Sequence, residues 1–267
     1  MGILEALVLG IVQGLTEFLP LSSSGHLVIV PAILRWPAPP LVFDTTVHLG
    51  TLLAVVAVFW RDIGRLLAAW WQGLRRRRPL ETAEARLAWW VLLGTVPAVL
   101  AGVLLEEEFE ALFGSPHAVG GFLLGTALLL LLAEVLGRRK RPLAEMAWPD
   151  ALLVGLAQAA AIAPGLSRSG ATMATGMFRG LTREAATRFS FLLSIPIIAG
   201  TGLVQLLKLV RGGGGPAEAL PLALGFLAAA LCGYAAIRLL LAYVRRRPLY
   251  PFVAYCLILG LVALLAL

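Results

Sequence analysis

The chain alternates between long apolar stretches and short polar breaks, and the lengths of the stretches predict its elements. Six apolar runs, at about 43–60, 86–105, 117–136, 185–207, 216–241 and 248–267, approach the roughly 20 residues that a helix needs to cross a bilayer core. The apolar–polar alternation of a membrane β-barrel is absent. Two further stretches are each interrupted by a polar tip. Residues 3–18 give way at Pro20 to a run of serines and resume over 25–34, ending at Arg35-Trp36-Pro37-Ala38-Pro39-Pro40. Residues 151–178 break around 164–172. Each arm is too short to span alone, so each pair is predicted to be a re-entrant helical hairpin, tolerated only where its backbone is buried in protein or lines a cavity. The predicted fold is an all-α polytopic membrane protein, a single integral domain with six transmembrane helices plus two re-entrant hairpins.

Hairpin plus three spans occurs twice, over 1–136 and 145–267, and the residues repeat with it. At a constant offset of 145, Ala6, Leu7, Gly10, Gln13, Leu21, Ser22, Ser24 and Gly25 meet Ala151, Leu152, Gly155, Gln158, Leu166, Ser167, Ser169 and Gly170, eight identities in twenty ungapped positions. A weaker match sets Phe43 to His48 against Phe189 to Ser194. Three spans per repeat is an odd number, so the second repeat is expected to be inverted. The two tips then meet near the midplane, as in inverted-repeat transporters whose broken helices form the site.

Composition supports the membrane reading. The 267 residues are 60% hydrophobic and 14% charged, with mean hydropathy +0.89; a soluble domain carries roughly 25% charged residues. The net charge of +7 does not indicate nucleic acid, because the arginines concentrate in the connections 61–86, 137–150 and 242–248. All three fall on one side, which the distribution of basic residues makes cytoplasmic. Trp60, Trp70, Trp71, Trp89, Trp90 and Trp148 flank them as an interfacial belt. Glu106, Glu107, Glu108, Glu110 and a Gly212–Gly215 turn are assigned to the other side. No basic leader precedes the first apolar run, so no cleavable signal is expected. Cys232 and Cys256 lack metal-type spacing and read as core packing.

The polar tips hold the candidate chemistry. Gln13 and Glu17 are four apart and share a helix face, and an intramembrane carboxylate is a functional residue by default. Ser22, Ser23 and Ser24 precede a helix, whose N-terminus is an anion site, with Gly25 and His26 in its first turn. The second tip supplies Gly165, Ser167, Arg168, Ser169, Gly170 and Thr172, and the planar fork of arginine suits phosphate. The bland alternatives are capping for the serines and an Arg168–Glu17 structural pair. His48 is within reach of the site; His117 is read as incidental; Arg179, Arg183 and Arg188 are read as interfacial or as aids to anion access. There is no Walker loop, no zinc cluster and no nucleophile elbow. The constellation calls for a phosphorylated substrate handled at a membrane cavity. A transporter or flippase of a phosphorylated lipid or anion is the alternative to an enzyme.

Gln13-x-x-x-Glu17, Ser22-Ser23-Ser24-Gly25-His26 and Pro164-Gly165-x-Ser167-Arg168-Ser169-Gly170-x-Thr172 closely resemble the bacitracin-resistance family of undecaprenyl-diphosphate phosphatases. The resemblance extends over nearly the whole chain. It implies a multi-pass plasma-membrane hydrolase that removes one phosphate from the C55 isoprenoid diphosphate, recycling the carrier of cell-wall synthesis. The implied cofactor is a divalent cation, Mg²⁺ or Ca²⁺, and the implied active site opens to the outer face. Expected partners are the polyprenyl diphosphate and membrane lipids, with a homodimer open to such a protein and no nucleic acid. Glu17 and Gln13 are expected to hold the cation; Gln13 stands where the family admits Glu or Gln. Arg168, Ser167 and Ser169, with Ser22, Ser24, Gly25, Gly165, Gly170 and Thr172, are assigned to the diphosphate. Glu17, Ser23, His26 and Arg168 are the catalytic candidates. The nucleophile is left among Ser23, His26 and water, with Ser23 and His26 acting together preferred.

Overall fold

The structure, a computed structural model, describes residues 1–104, 115–211 and 219–266. The acidic run at 106–110 and the Gly212–Gly215 turn lie outside these residues. Ten α-helices are described: α1 (Ile3–Phe18), α2 (Ser23–Leu34), α3 (Leu41–Arg75), α4 (Ala83–Leu104), α5 (Pro116–Leu136), α6 (Trp148–Ala160), α7 (Arg168–Phe178), α8 (Arg183–Arg211), α9 (Ala219–Val244) and α10 (Tyr250–Ala266). A 3₁₀ turn spans Leu143–Glu145. Among the described residues the only β-type pairing is an isolated bridge between Arg141 and Leu181. Five helices, α3, α4, α5, α8 and α9, are long and apolar enough to cross a membrane; α2 and α10 are shorter apolar helices. The protein is all-helical and polytopic in character.

Helix starts follow from local chemistry. The proline-rich 37–40 segment cannot continue α2 and leads into α3. Ser115 caps α5 by accepting from Ala118 N–H at 3.2 Å, with Pro116 at the first helical position. One boundary departs from expectation: α3 continues to Arg75, although the apolar run ends near Trp60. Charge ends an apolar run but not a helix. Leu66, Leu67, Ala68 and Ala69 are good helix formers, and Arg65 reaches back to Asp62 at 2.5 Å.

Small residues let backbones approach. A Cβ on Gly10 of α1 would lie 2.5 Å from the carbonyl oxygen of Gly225 on α9; one on Gly155 of α6 would lie 2.4 Å from that of Gly94 on α4. Gly120 of α5 and Gly260 of α10 face each other, each with a hypothetical Cβ 2.9 or 3.0 Å from the other's carbonyl oxygen. Association by close van der Waals contact at small residues suits helices whose outward faces are apolar. The largest core joins α1, α3 and α5 to α9 around Phe18, Phe59 and Phe191, whose rings meet edge-to-face with Phe191 5.5 Å from Phe18 and 6.2 Å from Phe59.

The arginine-bearing connections gather at one end. Trp90 donates to the Met146 carbonyl at 3.1 Å, Arg188 pairs with Asp62 at 3.0 Å, and Arg245 with Glu184 at 2.8 Å. Two buried carboxylates staple this end. Glu134 accepts from Arg139, from Arg183 and from Leu249 N–H. Asp150 accepts from Arg141, Arg179 and Ala147 N–H, each within 3.0 Å. Arg179, Arg183 and Arg188 are therefore spent in structural pairs, not in anion access. Lys140 and Arg141 N–H both donate to the Gly180 carbonyl at 2.9 Å, so the α6–α7 pair leaves this end and returns to it.

Removing the buried Asp150 carboxylate takes the shared partner from two half-exposed guanidiniums and the acceptor from Ala147 N–H. Asp150→Ala should lower the thermal unfolding midpoint of the detergent-solubilised protein, at a cost on the order of 1–2 kcal/mol after solvent screening of the arginines. Glu184→Ala, on an exposed pair, should shift it little. Equal midpoints for the two variants would contradict the staple.

Candidate active site

The two polar tips are built alike. Ser22 caps α2, its Oγ accepting from Gly25 N–H at 3.4 Å; Ser167 caps α7, its Oγ accepting from Gly170 N–H at 3.1 Å. The next serines lie beside the caps, Ser22 Oγ 3.3 Å from Ser24 Oγ and Ser167 Oγ 3.2 Å from Ser169 Oγ. This geometry is the physical content of the repeated Ser-x-Ser-Gly: cap, second hydroxyl, and a glycine that brings its N–H to the cap.

The tips meet. Gly165 N–H donates to Ser22 Oγ at 3.2 Å, and Ser169 Oγ–H to the Leu19 carbonyl at 3.0 Å. Gly165 has φ +97°, and a Cβ there would lie 2.4 Å from the Val119 carbonyl oxygen, so both conformation and space require glycine. Thr126 of α5 ties the second tip, donating to the Gly165 carbonyl at 3.0 Å and accepting from Ser167 N–H at 2.9 Å.

Glu17 is the centre. Its Oε1 accepts from Arg168 Nη2 at 2.7 Å; its Oε2 accepts from Ser23 Oγ–H at 2.5 Å and from Gln13 Nε2 at 3.1 Å. Ser23 and Arg168 are the first helical residues of α2 and α7, equivalent positions in the two tips, and they grip opposite oxygens of one carboxylate. Arg168 keeps a buried Nη1 without a partner. His48 of α3 stands with Nε2 4.0 Å from Glu17 Oε2 and Nδ1 3.6 Å from Asp44 Oδ1.

A cavity of about 710 Å³ opens over this cluster. Its wall takes Glu17, Ser22, Ser23, Ser24, Ser167 and Arg168 from the predicted set. Thr16, Asp44, Gln158, Thr201 and Gln205 join the wall from outside that set, and His48, expected only within reach, lines it too. Asp44 and His48 share a face at i and i+4 in an apolar run, a signal open to reading. Leu27, Pro31, Trp36, Ile162, Leu166 and Ile197 make the rest largely apolar.

Other predicted residues are near but not on the wall. Gln13 is fully buried behind Glu17. Ser169 spends its hydroxyl on Leu19, and Thr172 on the Arg168 carbonyl at 2.7 Å and on Ser190 Oγ at 2.7 Å. Gly25, Gly165 and Gly170 make the close packing of the tips. His26 is turned away: Nδ1 lies 2.7 Å from the Ser22 carbonyl oxygen and Nε2 2.8 Å from Tyr255 Oη. His117 is exposed at the start of α5.

The family described as Bacitracin resistance protein BacA matches residues 6–262. The chain belongs to this family. It is 46% identical to the undecaprenyl-diphosphatase of Thermomicrobium roseum, covering 99% of this chain and 98% of that one. It is 48% identical to the undecaprenyl-diphosphatase of Rubrobacter xylanophilus, over 95% and 94%. With the undecaprenyl-diphosphatase of Geobacter metallireducens the identity is 45%, over 96% and 95%. Gln13, Glu17 and both tips of this BacA-family chain lie inside the matched residues.

The donor set suits an anion with a shared cation. Among the described residues no group of three His, Cys, Asp or Glu side chains gathers to hold a metal. Glu17 is the carboxylate at the tips, and Gln13 Oε1 is a buried acceptor without a partner. Such a pair would offer oxygen ligands to a hard cation once the Gln13 amide turned its oxygen, in place of its nitrogen, toward Glu17.

Gly165→Ala should disrupt the junction, adding backbone strain to a clash with Val119. Gly180, at φ +86° with a hypothetical Cβ no closer than 3.5 Å to its neighbours, carries the strain alone. Gly165→Ala should therefore lower the unfolding midpoint more than Gly180→Ala; the reverse order would contradict the packed junction.

Proposed function

We infer that this protein hydrolyses undecaprenyl diphosphate to undecaprenyl phosphate and inorganic phosphate, recycling the lipid carrier of cell-wall synthesis and so conferring bacitracin resistance. The observation that carries this reading is the spare guanidinium Nη1 of Arg168, buried beside a carboxylate-bound serine at the foot of a largely apolar cavity. A diphosphate supplies the missing acceptor, and a prenyl chain suits the apolar wall. Membership of a family whose relatives carry that activity in their names supports the substrate.

The chain is read as crossing the bacterial plasma membrane six times, with α1–α2 and α6–α7 as re-entrant hairpins of two inverted repeats, 1–136 and 145–267. The exchange of packing partners supports this. α1 packs on α9 through Gly10 and Gly225, while its counterpart α6 packs on α4, the counterpart of α9, through Gly155 and Gly94. The α5–α10 contact maps onto itself through Gly120 and Gly260. The arginine-rich end is placed in the cytoplasm. The cavity wall includes Trp36, Leu41, Pro116 and Gln205, from the opposite end of the bundle, which supports an active site open to the extracytoplasmic side. The ion-paired staples around Glu134 and Asp150 close the cytoplasmic end, favouring an enzyme over a carrier.

In this mechanism Arg168 and the first-turn N–H groups of α2 and α7 hold the diphosphate. Ser23 Oγ attacks the terminal phosphorus, its proton passes to Glu17, and the bridging P–O bond breaks to release undecaprenyl phosphate. Water then cleaves the phosphoserine, the proton returning by way of Glu17. Ser22, Ser24 and Ser167 offer hydroxyls along the phosphate path. Glu17 and, with its amide turned, the Gln13 oxygen would hold a Mg²⁺ or Ca²⁺ ion, whose charge would offset that of the phosphates.

Arg168→Ala should lower phosphate release from undecaprenyl diphosphate by about 10³-fold or more. Arg168→Lys should recover only part of that, because a single ammonium lacks the fork. Near wild-type release by purified Arg168→Ala would sink the assignment. Rapid quench should trap phosphate on Ser23; transfer of ¹⁸O from water directly into phosphate in a single turnover, with no adduct, would instead assign the attack to water. EDTA should suppress release and Mg²⁺ or Ca²⁺ restore it.

A further inference from the structure

The first tip carries a strained residue that its own sequence does not excuse. Ser22 has φ +69°, the left-handed region that favours glycine. The conformation turns the chain so that Ser23 becomes the first residue of α2 with its hydroxyl on Glu17. Such strain persists only where surrounding contacts over-determine it. Here they come from distant helices. The Leu19 carbonyl accepts from Ser169 and the Pro20 carbonyl from Cys256 Sγ–H at 3.4 Å. The Ser22 carbonyl accepts from His26 N–H at 3.1 Å and lies 2.7 Å from His26 Nδ1.

The hydrogen-bond roles of His26 follow from its partners. A carbonyl oxygen only accepts, so Nδ1 carries the proton. Nε2 of the neutral ring is then an acceptor, filled by Tyr255 Oη–H at 2.8 Å. The two rings lie nearly parallel, 12° apart, with centroids at 5.6 Å. Both ring nitrogens are engaged, and neither faces the cavity wall.

We propose that His26 and Tyr255 form a positioning pair: Tyr255 fixes the His26 tautomer, His26 fixes the Ser22 carbonyl, and the Ser22 turn delivers Ser23 to Glu17. This rests on the assignment of Ser23 to the chemistry. α10 thereby holds the reactive tip of the other half of the chain, and His26 acts through Ser22 instead of exchanging protons with the substrate.

The test uses the full-length protein in detergent, measuring kcat, KM and the pH–rate profile for phosphate release from undecaprenyl diphosphate. The side-chain nitrogen of Asn sits at the reach of Nδ1; that of Gln approaches the reach of Nε2. His26→Ala and His26→Gln should lower kcat by about 10²-fold through misplacement of Ser23. His26→Asn should stay within about ten-fold of wild type, one hydrogen bond short. Tyr255→Phe should lower kcat about three- to ten-fold with KM unchanged. The shape of the pH–rate profile should be the same in all. His26→Asn falling as far as His26→Ala, at an unchanged unfolding midpoint, overturns the proposal. So does loss of a limb of the pH profile in His26→Asn. Where His26→Ala fails to fold, Tyr255→Phe decides, because it keeps ring and packing; wild-type kcat there overturns the proposal. Wild-type turnover by Ser23→Ala removes the underlying assignment and the proposal with it, whereas an inactive Ser23→Ala beside an unrescued His26→Asn overturns the proposal alone.

Discussion

The structure depends on one ion pair. Glu17 and Arg168 stand 151 residues apart, each on a short helix broken by a polar tip, and join at 2.7 Å. Neither charge is tolerable alone in apolar surroundings, and losing either partner costs several kcal/mol. The pair therefore obliges the two tips to meet. It is also incomplete: one guanidinium nitrogen is unpartnered, and the carboxylate holds a serine hydroxyl as well. The interaction that holds the tips together thus leaves a guanidinium N–H open to an acceptor and a carboxylate beside a serine hydroxyl. In the proposed reaction stability and chemistry draw on the same two side chains, so a structural Glu–Arg pair and a functional one are not rivals.

Around the pair, packing without side chains sets the distances. Gly10 on Gly225, Gly155 on Gly94 and Gly120 on Gly260 bring backbones together where a methyl group would collide. Helices that face lipid gain nothing by hiding apolar surface from one another, so close contact at small residues is what selects their neighbours. These contacts fix where α1 and α6 end, and hence where both tips lie. The turn at the first tip is then held from outside, by Ser169, Cys256 and the His26–Tyr255 pair. The Leu19 and Pro20 carbonyls lie on the packed side of the loop, away from the cavity, so other segments supply their donors.

Two tips with the same capping hydrogen bond differ in the backbone of the cap, φ +69° at Ser22 against −59° at Ser167, and at the next position, Ser23 in one and Arg168 in the other. The tips share cap, hydroxyl and glycine; the first helical residue puts a serine hydroxyl on one side and a guanidinium on the other. Their shared target is Glu17, whose counterpart in the second half, Ile162, is an apolar part of the cavity wall. The asymmetry lets one carboxylate face two different partners instead of another carboxylate.

Much of this was legible in the chain itself. Run length and hydropathy determined an all-helical protein with several membrane-length helices, because crossing an apolar layer demands about 20 apolar residues whatever the packing. The Ser-x-Ser-Gly register determined the two caps, since capping is local. Glu17 and Arg168 announced themselves by their cost. What the tertiary structure decided was direction and partnership. His26 looked reactive beside three serines, but its ring turns to Tyr255 on a helix more than two hundred residues away. Gln13 proved to back Glu17 without reaching the cavity wall, Ser169 and Thr172 spend their hydroxyls on the frame, and His48 arrives from α3 to stand by Glu17. A residue's type and neighbours in sequence set what bonds it can form; only the packing of distant helices, through contacts at glycine that no local pattern encodes, sets which bonds it does form.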